Sequence, residues 1–174
     1  MMEAPDVPET SNRRLNRAIA TTVVILSVAM ALTKIKDDNI VQAMQADTAA
    51  KIDYWNEYQA SRIKLHVEEV ALRTRADAAT TAAIAKYQRE SAGLKAQALA
   101  AAADYDKQGY RDDQFDLSDG FSSIALAVTA ISALIESWGL LGLGWGAAAL
   151  GLLFSVAGFA GLPLHPDMLV AFLT

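Results

Sequence analysis

The chain has 174 residues, of which 53% are hydrophobic and 20% are charged, and its formal net charge is −5. The negative charge gives no electrostatic support for general nucleic-acid binding, and the absence of cysteine excludes disulfides, thiolate metal sites and cysteine nucleophiles. The apolar residues are concentrated towards the two ends, whereas most charges lie between them. This segregation predicts an all-α integral membrane protein.

The beginning of the chain predicts a tail followed by a membrane anchor. Residues 1–12 show no apolar period and are predicted to be disordered. The basic start RRLNR then leads into an apolar run at 18–32, so residues 13–33 are predicted as the first transmembrane helix. A cleaved signal peptide has a similar basic start and apolar core. A retained anchor is favoured because the helical pattern continues without a break after Thr33.

The segment 34–106 is predicted to be helical and to lie outside the membrane, because it contains no proline and a single glycine, Gly93. It could form one continuous helix about 110 Å long, or a long antiparallel helical hairpin that packs like a coiled coil, with a turn near 76–81. The hairpin is favoured because both ends of the segment adjoin membrane spans. Asp77 and two threonines are poor helix formers and the best candidates for the turn.

The two arms of this segment have different apolar patterns. On the first arm the stripe recurs about every 3.7 residues, through Ile40, Met44, Ile52, Trp55, Ile63, Val67 and Val70. The alanine-rich second arm has a seven-residue pattern of Ile84, Tyr87, Ser91, Leu94, Ala98, Ala101 and Tyr105. We expect these stripes to meet each other, a neighbouring subunit, or both. The predicted interaction residues on the arms are Ile40, Met44, Trp55, Ile63, Tyr87 and Leu94.

Residues 107–120 are predicted as an acidic connector that leads to the second span. The string DYDKQGYRDDQF has acids and a glycine at several positions of an EF-hand calcium loop. Phe115, however, stands where such a loop needs a bidentate glutamate. A solvated acidic turn is therefore favoured over a calcium site, for which the candidate ligands are Asp104, Asp106, Gln108 and Asp112.

Two further apolar runs predict transmembrane helices at 121–138 and 140–162, joined by a tight glycine-rich turn, with a C-terminal tail at 163–174. Glu136 is the one acid within these runs. An intramembrane carboxylate suggests a proton or ion path. Its position at the end of a span favours instead an interfacial side chain that reaches the headgroups.

The third span carries a face of small residues. Gly142 and Gly146 form a GxxxG motif, and Gly151 follows near the same face. Small residues let helices approach closely in lipid. This face is predicted to pack either within the chain or between chains, and the sequence favours neither.

Basic residues near the first span give the predicted orientation. Arg13, Arg14 and Arg17 precede the span, whereas Lys34 and Lys36 follow it. This bias predicts a multi-pass protein of the bacterial inner membrane with its N-terminus in the cytoplasm and the hairpin in the periplasm.

Three stretches resemble a known family of bacterial membrane proteins, domain of unknown function 4337 (DUF4337). They are KIKDDNIVQAMQ, DYWNEYQASRIKLH and FDLSDGFSSIALAVTAISAL, and the resemblance extends from Arg14 to Leu162. It implies three membrane spans with a helical hairpin between the first and second, and it implies no reaction. The chain departs from the family in its shorter hairpin with an alanine-rich return helix. It also departs at Glu136, Ser137 and Trp138, where basic residues are common.

The sequence predicts that the protein is not an enzyme and has no cofactor, because it contains no nucleophile–base pair, P-loop, dinucleotide glycine motif or HExxH. The leading hypothesis is a homo-oligomeric scaffold that displays the hairpin at the surface of the lipid bilayer. One alternative is a small channel or transporter component with a path lined by Glu136, Thr129 and Ser132. Another is an accessory subunit of a larger membrane complex.

Overall fold

A computed structural model describes residues 12–164 and 166 of the chain. This described part contains three helices and no strand: α1 is Arg13–Thr74, α2 is Ala78–Leu134 and α3 is Trp138–Ala160. Each helix contains a stretch that is long and apolar enough to cross a membrane. The predicted all-α class and the three candidate spans are therefore confirmed.

The predicted acidic connector is not a separate element. Residues 107–120 belong to α2, which continues through them into the apolar run that follows. The helix persists because this interval has no proline and because one of its faces is buried, at Gln114, Phe115, Leu117 and Ser118. The predicted tails at 1–12 and 163–174 lie mostly outside the described residues.

A short break between α1 and α2 excludes a single helix over 34–106. Only residues 75–77 are not helical there, just at the start of the predicted turn. Asp77 caps α2, because its Oδ1 accepts a hydrogen bond of 2.7 Å from the Thr80 backbone N–H. The pKa of Asp77 is lowered, chiefly because the ionised carboxylate accepts hydrogen bonds from Thr80, and Arg75 adds an opposite charge.

The chain divides into two compact units. The described residues of the first, here called the apolar unit, are 12–37, 111–164 and 166. The second, here called the polar unit, is Asp38–Tyr110.

In the polar unit, the shielded positions of both helices alternate in steps of four and three residues. On α1 they are Ile40, Met44, Asp47, Lys51, Tyr54, Tyr58, Ser61 and Leu65. On α2 they include every residue of the predicted seven-residue pattern from Ile84 to Tyr105, each buried or half-buried. Both helices therefore present a face with the period of a heptad repeat.

Polar side chains occupy part of these faces and make specific contacts. Gln108 Nε2 donates a hydrogen bond of 2.7 Å to Asp47 Oδ2. The Lys51 ammonium lies 5.4 Å from the centroid of the Tyr105 ring, within the range of a cation–π interaction. Ser61 Oγ donates to the Tyr87 carbonyl over 3.3 Å. Asp47, Lys51 and Ser61 on the α1 face thus each have a partner on α2.

The apolar stripe predicted for the first arm does not lie on one face. Ile40 is buried and Trp55 is half-buried. In contrast Ile63 is 66% exposed and Val67 is 59% exposed, and Ile52 and Val70 are exposed as well. The predicted spacing of about 3.7 residues therefore does not describe the shielded face. That face includes the polar residues described above, and a search for apolar residues alone does not detect them.

In the apolar unit, glycines of α3 allow close contact with α2 at every seventh residue. A Cβ atom would lie 2.9 Å from Thr129 Oγ1 at Gly144, 2.5 Å from Ser122 Oγ at Gly151 and 2.8 Å from the Phe115 ring at Gly158. Residue numbers rise along α3 as they fall along α2. These distances leave no room for a methyl group, so the three glycines set the distance between the helices.

Gly151→Ala is expected to destabilise the apolar unit. The added methyl group would meet Ser122 Oγ at 2.5 Å and the Ser118 carbonyl at 3.0 Å, and overpacking of this kind costs about 1–3 kcal/mol. The measurement is the free energy of unfolding in detergent. Gly142→Ala is the matched control on the same helix, because a Cβ there meets nothing within 4 Å. Equal stability of the two variants would contradict the close contact.

Candidate functional site: a buried carboxyl cluster

A polar cluster lies in the apolar unit, at the end of the α1 apolar run. Thr33 is 4% exposed and Asp37, one turn further on, is 5% exposed. Thr33 Oγ1 donates to the Ala29 carbonyl at 2.9 Å and shares a hydrogen bond of 3.0 Å with Ser155 Oγ of α3. Since the Thr33 proton goes to Ala29, Ser155 is the donor in that pair. The hydroxyls are thus satisfied, and Asp37 is the unusual member of the cluster.

Asp37 has one satisfied and one unsatisfied carboxylate oxygen. Lys34 Nζ donates to Oδ2 over 2.8 Å, whereas Oδ1 is buried and has no hydrogen-bond partner in the structure. A buried acceptor without a donor costs about 1–3 kcal/mol, and more when it is charged. Asp37 Oδ1 is therefore an atom that a proton donor would stabilise.

The donor can come from Asp112, which lies on α2 before the apolar run of that helix. The pKa of Asp112 is raised to about 6. The first cause is burial, which disfavours the charged carboxylate; the second is its hydrogen bond with Asp37, and the charges of Asp116, Asp37 and Asp113 follow. Two ionised carboxylates cannot hydrogen-bond to each other, so a hydrogen bond between these two groups would need a proton on one of them.

Asp116 belongs to the same cluster. Burial is the main cause that raises its pKa, and the negative charges of Asp37 and Asp113 add to the effect, while Lys34 opposes it. The cluster therefore holds several carboxylates and a single close cation, and it favours the uptake of positive charge.

A small cavity opens onto this cluster. It has a volume of about 20 Å³ and is lined by Thr33, Lys34, Asp37, Phe115, Asp116 and Asp119. A cavity of this size holds about one water molecule when polar groups surround it. Asp37 is thus buried, whereas Asp112 is half-buried and Asp116 is exposed, and the cluster lies next to a space that water can enter.

The end of α3 is bound to α2 directly beside the cluster. Arg111 Nε donates to the Gly158 carbonyl over 3.0 Å. Gln114 Nε2 donates to the carbonyls of Leu162 and Leu164 at 2.8 and 2.7 Å. These carbonyls have no partner within α3, because they belong to its last turn or follow it. Arg111 also places a positive charge at the negative end of the helix dipole.

The candidate calcium ligands do not form a site. Asp104, Asp106, Gln108 and Asp112 lie on uninterrupted helix rather than on a loop, so their oxygens cannot wrap around an ion as an EF-hand loop does. No group of three or more His, Cys, Asp or Glu residues within the described ranges could hold a metal ion. Gln108 and Asp112 make the other contacts described above.

The residues predicted for interaction lie in different environments. Ile40 is buried, and Met44, Trp55, Tyr87 and Leu94 are half-buried on the heptad faces. Gly151 contacts Ser122 of the same chain. Only Ile63, Gly142 and Gly146 are exposed.

The polar residues considered for a membrane path are mostly shielded. Thr129 and Ser132 are 0% exposed, and Ser132 Oγ donates to the Ser137 carbonyl at 2.7 Å. Glu136 is exposed in the turn before α3, with a φ of 52°. A path lined by Thr129 and Ser132 would require their present contacts to break.

Asp37 and Asp112 were not identified from the sequence as a pair. Asp37 lies in the stretch KIKDDNIVQAMQ, which carries the family resemblance, and Asp112 is one of the calcium candidates. The helical spacing of Lys34 and Asp37 was the one local signal for their ion pair. Nothing in the sequence brings Asp112 next to Asp37, because that contact depends on how the helices pack.

The described fold defines a class: an all-helical protein with three helices able to cross a membrane, and with a carboxyl cluster around the buried Asp37. The chain belongs to the family described as domain of unknown function (DUF4337), whose model matches residues 15–161. The family resemblance of the sequence is thereby confirmed. Neither the comparison with curated proteins nor that with solved structures found a match.

Gln114→Leu is expected to destabilise the apolar unit by about 1–3 kcal/mol, because it removes the two hydrogen bonds to the carbonyls of Leu162 and Leu164, each of which contributes about 0.5–1.5 kcal/mol. The measurement is the free energy of unfolding in detergent. Gln97→Leu, at an exposed position of α2, is the matched control and should change it little. An equal effect of both substitutions would mean that the Gln114 hydrogen bonds contribute nothing.

Proposed function

We propose that the protein is a non-enzymatic, homo-oligomeric membrane scaffold that displays a helical hairpin at the bilayer surface. The observation that carries this proposal is a row of exposed apolar side chains on α1 in the polar unit. They lie outside the shielded heptad face of the helix.

Contacts within the polar unit support a hairpin with coiled-coil-like packing. The Met44 methyl group lies 3.9 Å from the Cβ position of Gly109. Further along α1, Asp47 pairs with Gln108, Lys51 with Tyr105, and Ser61 with Tyr87. Residue numbers rise on α1 as they fall on α2, as in an antiparallel pair. The alternating steps of four and three on both helices fit knobs-into-holes packing.

The second apolar face of α1 supports association of copies. It comprises Val41, Ile52, Ile63, Val67 and Val70, which are 36–66% exposed. Ile63, Val67 and Val70 are spaced by four and three residues and are therefore neighbours on the helix surface. Neighbouring apolar residues on a charged, water-exposed helix mark an interaction surface. We propose that this face binds the same face of a second copy of the chain. An isologous contact of this kind removes the apolar side chains of both copies from water.

The α3 face with Gly142 and Gly146 supports association within the bilayer. Both glycines are exposed, and nothing lies within 4 Å of their Cβ positions. The glycines that the fold itself uses are Gly144, Gly151 and Gly158. The GxxxG pair therefore lies on another side of α3, where a helix of a second copy could pack closely.

The proposed location is the bacterial inner membrane, with the N-terminus in the cytoplasm and the hairpin in the periplasm. Support comes from the three apolar helices and from the arginines before the first span.

The double substitution Ile63→Glu with Val67→Glu is expected to turn the oligomer into a monomer, because it places charges on the proposed contact. Both side chains are exposed, so the chain itself should remain folded. The measurements are particle mass in mild detergent and crosslinking between chains in native membranes.

Leu99→Glu is the control for that experiment, since Leu99 is 53% exposed on α2 and lies outside the proposed face. It should leave the oligomer intact. A monomeric wild-type protein that forms no crosslink at any position of the polar unit would refute the proposed scaffold.

A further inference from the structure

The carboxyl cluster contains a contact that neither the scaffold role nor membrane insertion explains. Asp37 is almost completely buried, and its Oδ1 has no donor. Asp112 on α2 is in hydrogen-bonding contact with Asp37. A carboxyl group and a carboxylate make a strong hydrogen bond only when exactly one proton lies between them.

The surroundings favour that single proton. Lys34 Nζ donates a hydrogen bond to Oδ2 of Asp37, whereas Oδ1 has no donor. Asp112 has no comparable cation among its neighbours, whose charges raise its proton affinity. Asp112 is thus the partner on which the proton would lie.

We propose that Asp37 and Asp112 form a proton-binding site, in which a neutral Asp112 carboxyl donates a hydrogen bond to Oδ1 of the Asp37 carboxylate. The ligand of this site is a proton taken up from water. The adjacent cavity of about 20 Å³ has room for the one water molecule that would exchange it. The site binds and releases a proton without any other change in bonding.

The groups that face the pair all come from the three helices of the apolar unit. From α1 they are Lys34 and Asp37 itself. From α2 they are Asp113 and Asp116, with Asp119 beside Asp116. Helix α3 has no titratable side chain within Trp138–Ala160, and Arg111 directs its Nε to the Gly158 carbonyl. One close cation therefore stands against several carboxylates.

The direction of the pH dependence follows from these contacts. The pKa of Asp112 in the fold lies near 6, above its ordinary value of 3.8, so the folded chain binds this proton more tightly than the unfolded chain. The stabilisation is fully present below the ordinary value and is lost as the pH rises through about 6. Ionisation of Asp112 then places a second buried charge next to Asp37.

The test is infrared spectroscopy of the full chain in lipid nanodiscs, between about pH 4.5 and about pH 7.5. The wild type should show a protonated-carboxyl C=O band that disappears with a midpoint near pH 6. Asp112→Asn should remove this band. Asp37→Asn should move its midpoint down by about one pH unit or more, because Asp112 then loses a negative neighbour and its acceptor.

Asp104→Asn is the charge-matched control, because Asp104 is an exposed carboxylate of α2 in the polar unit, and it should leave the band unchanged. Thermal unfolding provides a second readout, in which Asp112→Asn should lose the fall in Tm that the wild type shows as the pH rises from the ordinary value of 3.8 to about 6. If Asp112→Asn does not fold, the shift of the band midpoint in Asp37→Asn tests the proposed site. No carboxyl band near pH 6 in the wild type, or an unchanged midpoint in Asp37→Asn, would overturn the site.

Discussion

The contact between α2 and α3 at every seventh residue determines most of the geometry of the apolar unit. Because Gly158 packs on the Phe115 ring, Arg111 and Gln114 come to lie beside the end of α3, where they bind its last carbonyls. A shift of one residue between α2 and α3 would separate the donors from the carbonyls, so the glycines control both the packing and the polar contacts.

Asp37 is a buried carboxylate in the same apolar unit, and its burial needs compensating contacts. A carboxylate at the end of an apolar run would ordinarily turn towards water, since its desolvation costs several kcal/mol unless it is paired. Here Lys34 pairs with one oxygen, and the second oxygen faces a helix whose own carboxyl can hold a proton. The acidic element at the end of the first span is therefore partly an internal contact, rather than only a charged surface.

The helices could be predicted from the sequence, but most of the contacts between them could not. Apolar runs and the lack of breakers predicted three candidate spans, and the alanine-rich arm showed its heptad because its shielded residues are apolar or small. The matching face of α1 was missed because it contains Asp47, Lys51 and Ser61, whose partners come from α2. Likewise Asp37 and Asp112 are far apart in sequence, and only tertiary packing makes them a pair.

Exposed apolar side chains have different meanings in the two units. In the apolar unit, residues such as Leu143 and Val156 are exposed, while Gly144, Gly151 and Gly158 are buried. This is the arrangement expected of helices that face lipid, because lipid solvates large apolar side chains and only close packing needs small ones. In the polar unit the neighbours of Ile63 are charged and polar, so lipid does not account for its 66% exposure. In a single copy the apolar surface around Ile63 is exposed to water, and association with a second copy would bury it.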